Sequence, residues 1–176
     1  MITTYPAYFF YLLALLRVLS LFISRRNEVR LRRVGAREFG GKNSMGLIIT
    51  HIGLYIACLA DVCITGNFLK GWAGGAGLVL YAFSIGILYY VILSLGKVWT
   101  MKLLIGPAWY HSVHRGFLFR WVRHPNYYLN LLPELLGIVL ICQTWIAFFL
   151  FPVYLVMLGN RITLEEEVMK AHFDTY

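Results

Sequence analysis

Charge is scarce in this chain. Only 14% of its 176 residues are Asp, Glu, Lys or Arg, and the acids number 8 against 16 Lys and Arg. A soluble domain carries roughly 25% charged residues, so a water-exposed globule is excluded. With 60% hydrophobic residues, the chain reads as an integral membrane protein. Cysteine is scarcer still. Cys58, Cys63 and Cys142 are odd in number, lack C-x-x-C spacing and lie in apolar surroundings. That leaves no disulfide framework to infer and reads as three small buried thiols. The N-terminus lacks a basic stretch and a small-residue cleavage site, so the first apolar run is expected to be a retained span. There is no internal repeat and no low-complexity tract, and the length suits one domain over residues 1–176.

A span needs about 20 mostly apolar residues. Tyr5 to Ile23, Met45 to Ile64 and Trp72 to Leu95 meet this, which makes residues 1–95 three transmembrane helices. Arg17 is expected near an end of the first, where its stem can carry the charge to the interface. Gly74, Gly75, Gly77 and Gly86 offer close backbone approach on the third. The apolar run 127–159 is too long for one helix and short for two. Gln143-Thr144 breaks it, so a short helical hairpin is expected, Tyr127 to Ile141 out and Trp145 to Gly159 back; a single tilted helix is the alternative. Pro133 and Pro152 are expected to kink the arms. The fold class is therefore all-α: a polytopic helical bundle of about five transmembrane helices.

The positive charge is not spread evenly. The loop 24–43, the segment 96–126 and the tail after Asn160 hold 7, 5 and 2 Lys and Arg, 14 of the 16. Such clusters favour the cytoplasmic side, which puts the N-terminus outside and the C-terminus inside. The basic loop reads as a segment resting on anionic headgroups of the bilayer. Nucleic acid is not expected as a partner, because the cluster is short, lacks interleaved aromatics and lies between spans. Oligomeric state is left open.

The same topology brings two charged clusters to one face. Arg123-His124-Pro125-Asn126-Tyr127 opens the hairpin, and Arg161-Ile162-Thr163-Leu164-Glu165-Glu166 follows it. Pro125 suits a first helical turn, whose free donors can join Arg123 and His124 in holding an anion. Arg161 and Glu165 are spaced i, i+4 and pair along a helix, while Glu166 points about 100° away. Carboxylates at a helix C-terminus oppose the macrodipole, so something else must hold them. Charges beside a span are a functional-site hypothesis; the plainer reading is interfacial anchoring. Tyr127, Asn130 and Glu134, at i, i+3 and i+7, share one helical face. They read either as the wall of an acceptor tunnel or as an interhelical hydrogen bond from Glu134 to His51. His111 and His114 form an H-x-x-H without completing ligands nearby, so no metal is expected.

Leu95-Gly96-Lys97-Val98-Trp99, Arg123-His124-Pro125-Asn126-Tyr127 and Arg161 with Glu165-Glu166 resemble, in order and spacing, the L-G-x-x-W, R-H-P-x-Y and R-x-x-x-E-E motifs of the isoprenylcysteine carboxyl methyltransferase family. The resemblance covers roughly residues 80–176. It implies an integral-membrane methyltransferase using S-adenosylmethionine, with residues 96–176 as the catalytic half and the site at the cytosolic face. Asn126 is similar to bacterial members, some of which O-methylate long-chain alkylpyrones. It places the cofactor among Trp99, His111, His124, Tyr127, Glu165 and Glu166. Arg161 then orients an anionic acceptor, with Arg123 and Tyr127 beside it and Asn130 and Glu134 on the lipid side. The acceptor is a prenylated-cysteine carboxylate or an acidic enol. Two alternatives remain at this point: an NADPH-dependent sterol-type reductase, since such enzymes share a similar R-H-P-N-Y, and a non-catalytic membrane interaction protein.

Overall fold

The computed structural model describes residues 4–107 and 117–172. Helix α1 spans Thr4–Arg33, α2 Gly41–Thr65 and α3 Gly71–Leu95. All three are long and apolar enough to cross a membrane. A 3-10 turn, Gly96–Val98, leads from α3 towards the short α4, Phe117–Trp121. A π-helical turn, Asn126–Leu131, then runs directly into α5, Leu132–Cys142, and α6 covers Ile146–His172. The chain is thus an all-α membrane bundle. Among the described residues the one sheet is a two-stranded exception: β1, Arg37–Phe39, pairs antiparallel with β2, Leu103–Ile105, with Glu38 opposite Leu104.

Residues 24–33 belong to α1 rather than to a loop. At about 45 Å, this helix outruns the hydrocarbon layer, and Arg30, Arg32 and Arg33 in its last turn complement the helix dipole. Arg17 is not at an interface either. It is buried in the middle of α1, with Nε 2.6 Å from Glu134 Oε1. A guanidinium can stay there because an equally buried carboxylate compensates it. The same oxygen accepts from the Tyr55 hydroxyl at 2.7 Å and lies 3.3 Å from His51 Nε2. The expected bond from Glu134 to His51 is present, as one contact of a larger cluster. Cys58 and Cys142 are buried but Cys63 is exposed.

The run 127–159 does form two helices. Gln143 turns the chain with φ 51°, its N–H donating to Val139 O at 2.7 Å, and the Thr144 hydroxyl accepts from the Ile146 N–H at 3.3 Å. The arms pack mainly on other helices, α5 on α3 and α6 on α2. Against expectation, the returning arm does not stop at Gly159. It continues through Pro152 and the acidic cluster as one 27-residue helix. Its first half presents Phe149, Val153 and Val156 outward, a lipid-type surface like those of Phe22, Ile56 and Leu93 on α1 to α3.

The α3–α5 contact rests on two glycines. A Cβ on Gly77 would lie 2.7 Å from Gly137 O, and one on Gly137 would lie 2.9 Å from Tyr81 N. Close approach of backbones is what small residues supply between membrane helices, where lipid gives no hydrophobic drive. Gly75 and Gly86, also candidates for this role, face open space instead.

Core packing here predicts a paired outcome. Gly77→Leu must displace backbone and should destabilise by about 1–3 kcal/mol. Thermal unfolding in detergent should then show a midpoint lower by several degrees. Gly75→Ala should hold or raise the midpoint, since glycine in an open helix site is worth up to about 1 kcal/mol less than alanine. Equal midpoints for both variants would contradict the packing described.

Candidate functional site

Three chain segments converge on the last third of α1, the start of α2 and the second half of α6. The first is the 96–101 segment. Asn27 of α1 donates its side-chain amide to the carbonyls of Gly96 and Trp99, both at 2.9 Å, and the Met101 N–H donates to Ser24 Oγ at 3.0 Å. These bonds pin Trp99, which is 3% exposed. The second is the start of α2. Gly40 precedes it at φ 59°, and a Cβ there would strike the Leu164 side chain at 2.0 Å. A left-handed residue pressed against α6 is what glycine alone tolerates. That contact brings Ser44, one turn into α2, to α6.

The third is the pair of motif clusters, and they meet. Arg161 is 3% exposed. Its Nε donates to the Tyr127 hydroxyl at 3.1 Å, one terminal nitrogen to Ser44 Oγ at 2.6 Å, and the other to Met101 O at 3.4 Å. The Tyr127 hydroxyl in turn donates to Glu165 Oε2. Glu165 lies 3.9 Å from Arg161 on the same helix. His124 stacks on Tyr127, with ring centroids 5.6 Å apart, and its two nitrogens face Glu165 at 3.6 Å and Glu166 at 3.3 Å. Glu166 also pairs with Lys170 at 3.6 Å. So the two carboxylates, which lie well inside α6 and not at its C-terminus as expected, are held by an imidazole, a phenol and two cations.

This mutual arrangement shifts the ionisation of its members. Burial by itself lowers His124, but the hydrogen bonds and charges of Glu165 and Glu166 outweigh it, and the imidazolium is favoured. Burial likewise raises Glu165, yet hydrogen bonds from His124 and Tyr127 and the charge of Arg161 hold it below the usual carboxylate range. Glu166 is lowered chiefly by its hydrogen bond to His124. All three shifts favour the charged forms of the hydrogen-bonded lip.

Behind Tyr127 and Arg161 runs a narrow cavity of about 50 Å³, set in about 520 Å³ of atom-free space that is partly open. Arg161, Ser44 and Met101 line the end beside the lip, named here the mouth, and His51, Tyr154 and Arg17 line the other end, the floor. Ser44 to His51 and Tyr154 to Arg161 are each seven residues apart on a helix, so mouth and floor are separated by about 10 Å. Leu47, Ile48, Leu88 and Leu131 form the sides, with Asn130 and Trp99. Two buried atoms of these last residues, Trp99 Nε1 and Asn130 Oδ1, have no hydrogen-bond partner.

The expected site residues thus separate into groups. His124, Tyr127, Arg161, Glu165 and Glu166 form the lip, and Trp99 and Asn130 line the cavity. Glu134 is fully buried behind the floor, on Arg17 and His51. It leaves the face of Tyr127 and Asn130 because a π turn takes more residues than an α turn, which breaks the i, i+3, i+7 register. Arg123 is exposed. His111, with His114, lies outside the described residues. Among the described residues no cluster of His, Cys, Asp or Glu could hold a metal ion. Ser44, Asn27 and Ser24 were not singled out from the sequence. A signal existed for the last two: Arg17, Ser20, Ser24 and Asn27 form a polar stripe at helical spacing within an apolar helix.

The model of the isoprenylcysteine carboxyl methyltransferase family matches residues 77–171, which include the lip and Trp99. An uncharacterized protein of Haemophilus influenzae is 40% identical over 159 residues, covering 90% of this chain and 91% of its own length. The uncharacterized protein YpbQ of Bacillus subtilis is 30% identical over 168 residues, covering 93% of this chain and 98% of its own. No solved structure matches the chain. The chain is a member of the isoprenylcysteine carboxyl methyltransferase family.

Proposed function

We propose that the chain is an S-adenosylmethionine-dependent O-methyltransferase acting on the carboxylate or acidic enol of a lipophilic acceptor. The observation that carries this reading is the single network joining His124 and Tyr127 to Arg161, Glu165 and Glu166 across the mouth of a cavity. Residues 96–176 would be the catalytic half, completed by Ser44 and Asn27 from the membrane scaffold. The distribution of Lys and Arg supports a cytoplasmic site, with the N-terminus outside and the C-terminus inside.

The residues suit the cofactor. Bound S-adenosylmethionine supplies an electrophilic methyl carbon on a sulfonium, which leaves as a neutral thioether when an anionic oxygen takes the methyl. Glu165 and Glu166 can hold its amine and ribose hydroxyls, and His124, favoured as imidazolium, or the neighbouring Arg123 can hold its carboxylate. Tyr127 offers an aromatic face to a cation. Trp99 and Asn130 line the cavity, and each keeps one buried polar atom without a hydrogen-bond partner, which costs about 1–3 kcal/mol unpaired.

An acceptor oxygen that is already anionic needs no general base. What remains for the chain is to position and to exclude water. Arg161 suits the first task. Its guanidinium stands at the cavity mouth, fixed from Ser44, Tyr127 and Met101, with the lip on one side and the cavity on the other. The apolar cavity sides suit the second.

Purified protein in detergent should be stabilised by S-adenosylhomocysteine and not by NADPH; at about 100 times the dissociation constant the gain is about 2.7 kcal/mol. Absence of any shift would sink the methyltransferase reading. Glu166→Gln should abolish or sharply reduce that shift. Arg161→Ala should keep it and lower methyl transfer about 100- to 1000-fold, the usual effect of losing one positioned charge donor.

The lip also predicts a pH dependence. The folded-state value of His124 is raised, so its stabilisation is complete below the ordinary histidine value of about 6.5 and is lost as pH rises through the raised value. Glu165 and Glu166 are lowered, so theirs is complete above the ordinary glutamate value of about 4.3 and is lost as pH falls further. The unfolding midpoint of the wild type should therefore fall from pH 6 to pH 9 more steeply than that of His124→Asn. Parallel curves would show that His124 carries no such linkage.

A further inference from the structure

The end of α1 has three faces, and the site uses only one of them. Ser24, Asn27 and Leu31 are buried and lie within about 60° of one another, at about 100° per residue. Arg25 and Arg32 flank that face and close on the buried Glu28, at 3.2 and 3.0 Å. Arg26, Arg30 and Arg33 point away from it. Spaced i, i+4 and i+7, they share the outward face, with Arg26 and Arg33 exposed and Arg30 half-buried. The acids at this end, Glu28 and Glu38, are taken by Arg25, Arg32 and Lys102. Among the described residues, Arg26, Arg30 and Arg33 have no acidic partner.

The same face continues into the span as hydrocarbon. Tyr11, Leu15, Val18, Leu19 and Phe22 lie along it, each between 43% and 68% exposed. From Tyr11 to Phe22 the helix rises about 16 Å, the depth of one leaflet of a hydrocarbon core about 30 Å thick. Asn27 fixes the height of the arginines, because its amide holds the carbonyl of Gly96 at the end of α3. Arg26 is therefore level with the end of a span. Arg30 and Arg33 stand about 6 and 10 Å beyond it, across a headgroup layer of about 5–8 Å. A track one acyl chain long, capped by three uncompensated cations, has the length and polarity of one upright anionic phospholipid. A second copy in the same membrane orientation would instead set these arginines against their own counterparts.

We propose that the outward face of α1 binds an anionic phospholipid, its phosphate held by Arg26, Arg30 and Arg33 and one acyl chain lying along Leu15 to Phe22. Arginine suits this task, since its planar fork meets a phosphate through two parallel hydrogen bonds. Its long stem also lets the charge reach the phosphate level from either side. Arg25 and Arg32 take no part, being compensated by Glu28 and Glu38. The lipid holds the projecting end of α1 from outside, while Ser24 and Asn27 on the opposite face hold the 96–101 segment. This lipid site is separate from the cavity and stands whether or not the chain transfers a methyl group.

The test adds dioleoylphosphatidylglycerol or dioleoylphosphatidylcholine to the full-length protein in a non-ionic detergent and counts retained lipid by native mass spectrometry. Phosphatidylglycerol should bind at least about tenfold more tightly than phosphatidylcholine, as three cations beside an anionic headgroup require. Excess inorganic phosphate should not displace it. The triple variant Arg26→Gln, Arg30→Gln, Arg33→Gln should lose the preference. Arg26→Lys, Arg30→Lys, Arg33→Lys should keep most of it. Lys42→Gln, Lys70→Gln, Lys97→Gln, which removes the same charge from other exposed positions, should keep it too. Equal retention of the two lipids by the wild type overturns the proposal, and that comparison decides alone if the glutamine variant does not fold. Displacement by inorganic phosphate overturns it in favour of a free-anion site. An equal loss in the lysine control reduces it to net charge. A dimer that disappears in the arginine-to-glutamine variant assigns the face to a second copy and overturns it as well.

Discussion

A guanidinium buried between helices needs a full set of partners, and the demands of Arg161 organise this molecule. Its three nitrogens are met from three places: a phenol at the start of the π turn, a serine one turn into α2, and a carbonyl of the 96–101 segment. None of these is near it in the chain. Each must therefore be delivered by the fold, and each delivery has its own support. Gly40 lets α2 start against α6. Asn27 and Ser24 hold the 96–101 segment onto α1. The π turn sets Tyr127 where its hydroxyl can accept from Arg161 while donating to Glu165. Removing one partner would leave an under-compensated buried charge, which is far more costly than the net worth of any single bond.

The apolar spans were legible because their signal is composition over about 20 residues, and the hairpin turn because Gln143-Thr144 is a polar break in an apolar run. The motif clusters were legible because charge is rare enough here that its position carries meaning. The length of α6 was not. Periodicity fades where Arg161 to Glu167 replace apolar residues, and only contacts made by His124, Tyr127 and Lys170 show why the helix continues. The π turn was invisible for a related reason. Pro133 lacks the N–H and crowds the carbonyl four residues back, but whether a helix kinks or widens depends on its neighbours. Here it widens, the Leu132 N–H donating to Tyr127 O. Glu134 thereby leaves the face that α-helical spacing assigns to it.

Arg17 was misplaced because reading one helix at a time gives it no partner. A lone arginine in a span is expected to reach for the interface. Its carboxylate lies 117 residues away on α5, and the tyrosine and histidine that complete the set are on α2. Long-range compensation of this kind leaves no local trace. The stripe of Arg17, Ser20, Ser24 and Asn27 did leave one. Its later members bond to the 96–101 segment, so a polar stripe on α1 marks the helix face turned toward the site.

Two buried guanidiniums bracket the cavity, and their partners tell them apart. Arg17 has its carboxylate at 2.6 Å, and that carboxylate is wholly buried. Arg161 has its carboxylate at 3.9 Å, and Glu165 is shared with Tyr127 and faces His124 as well. Attraction falls with distance and is divided among partners. Arg17 is therefore neutralised in place and serves as a fixed floor. Arg161 keeps positive potential where the lip and the cavity meet. That asymmetry gives the pocket its direction, from a fixed ion pair at the Arg17 end to an incompletely compensated cation at the Arg161 end.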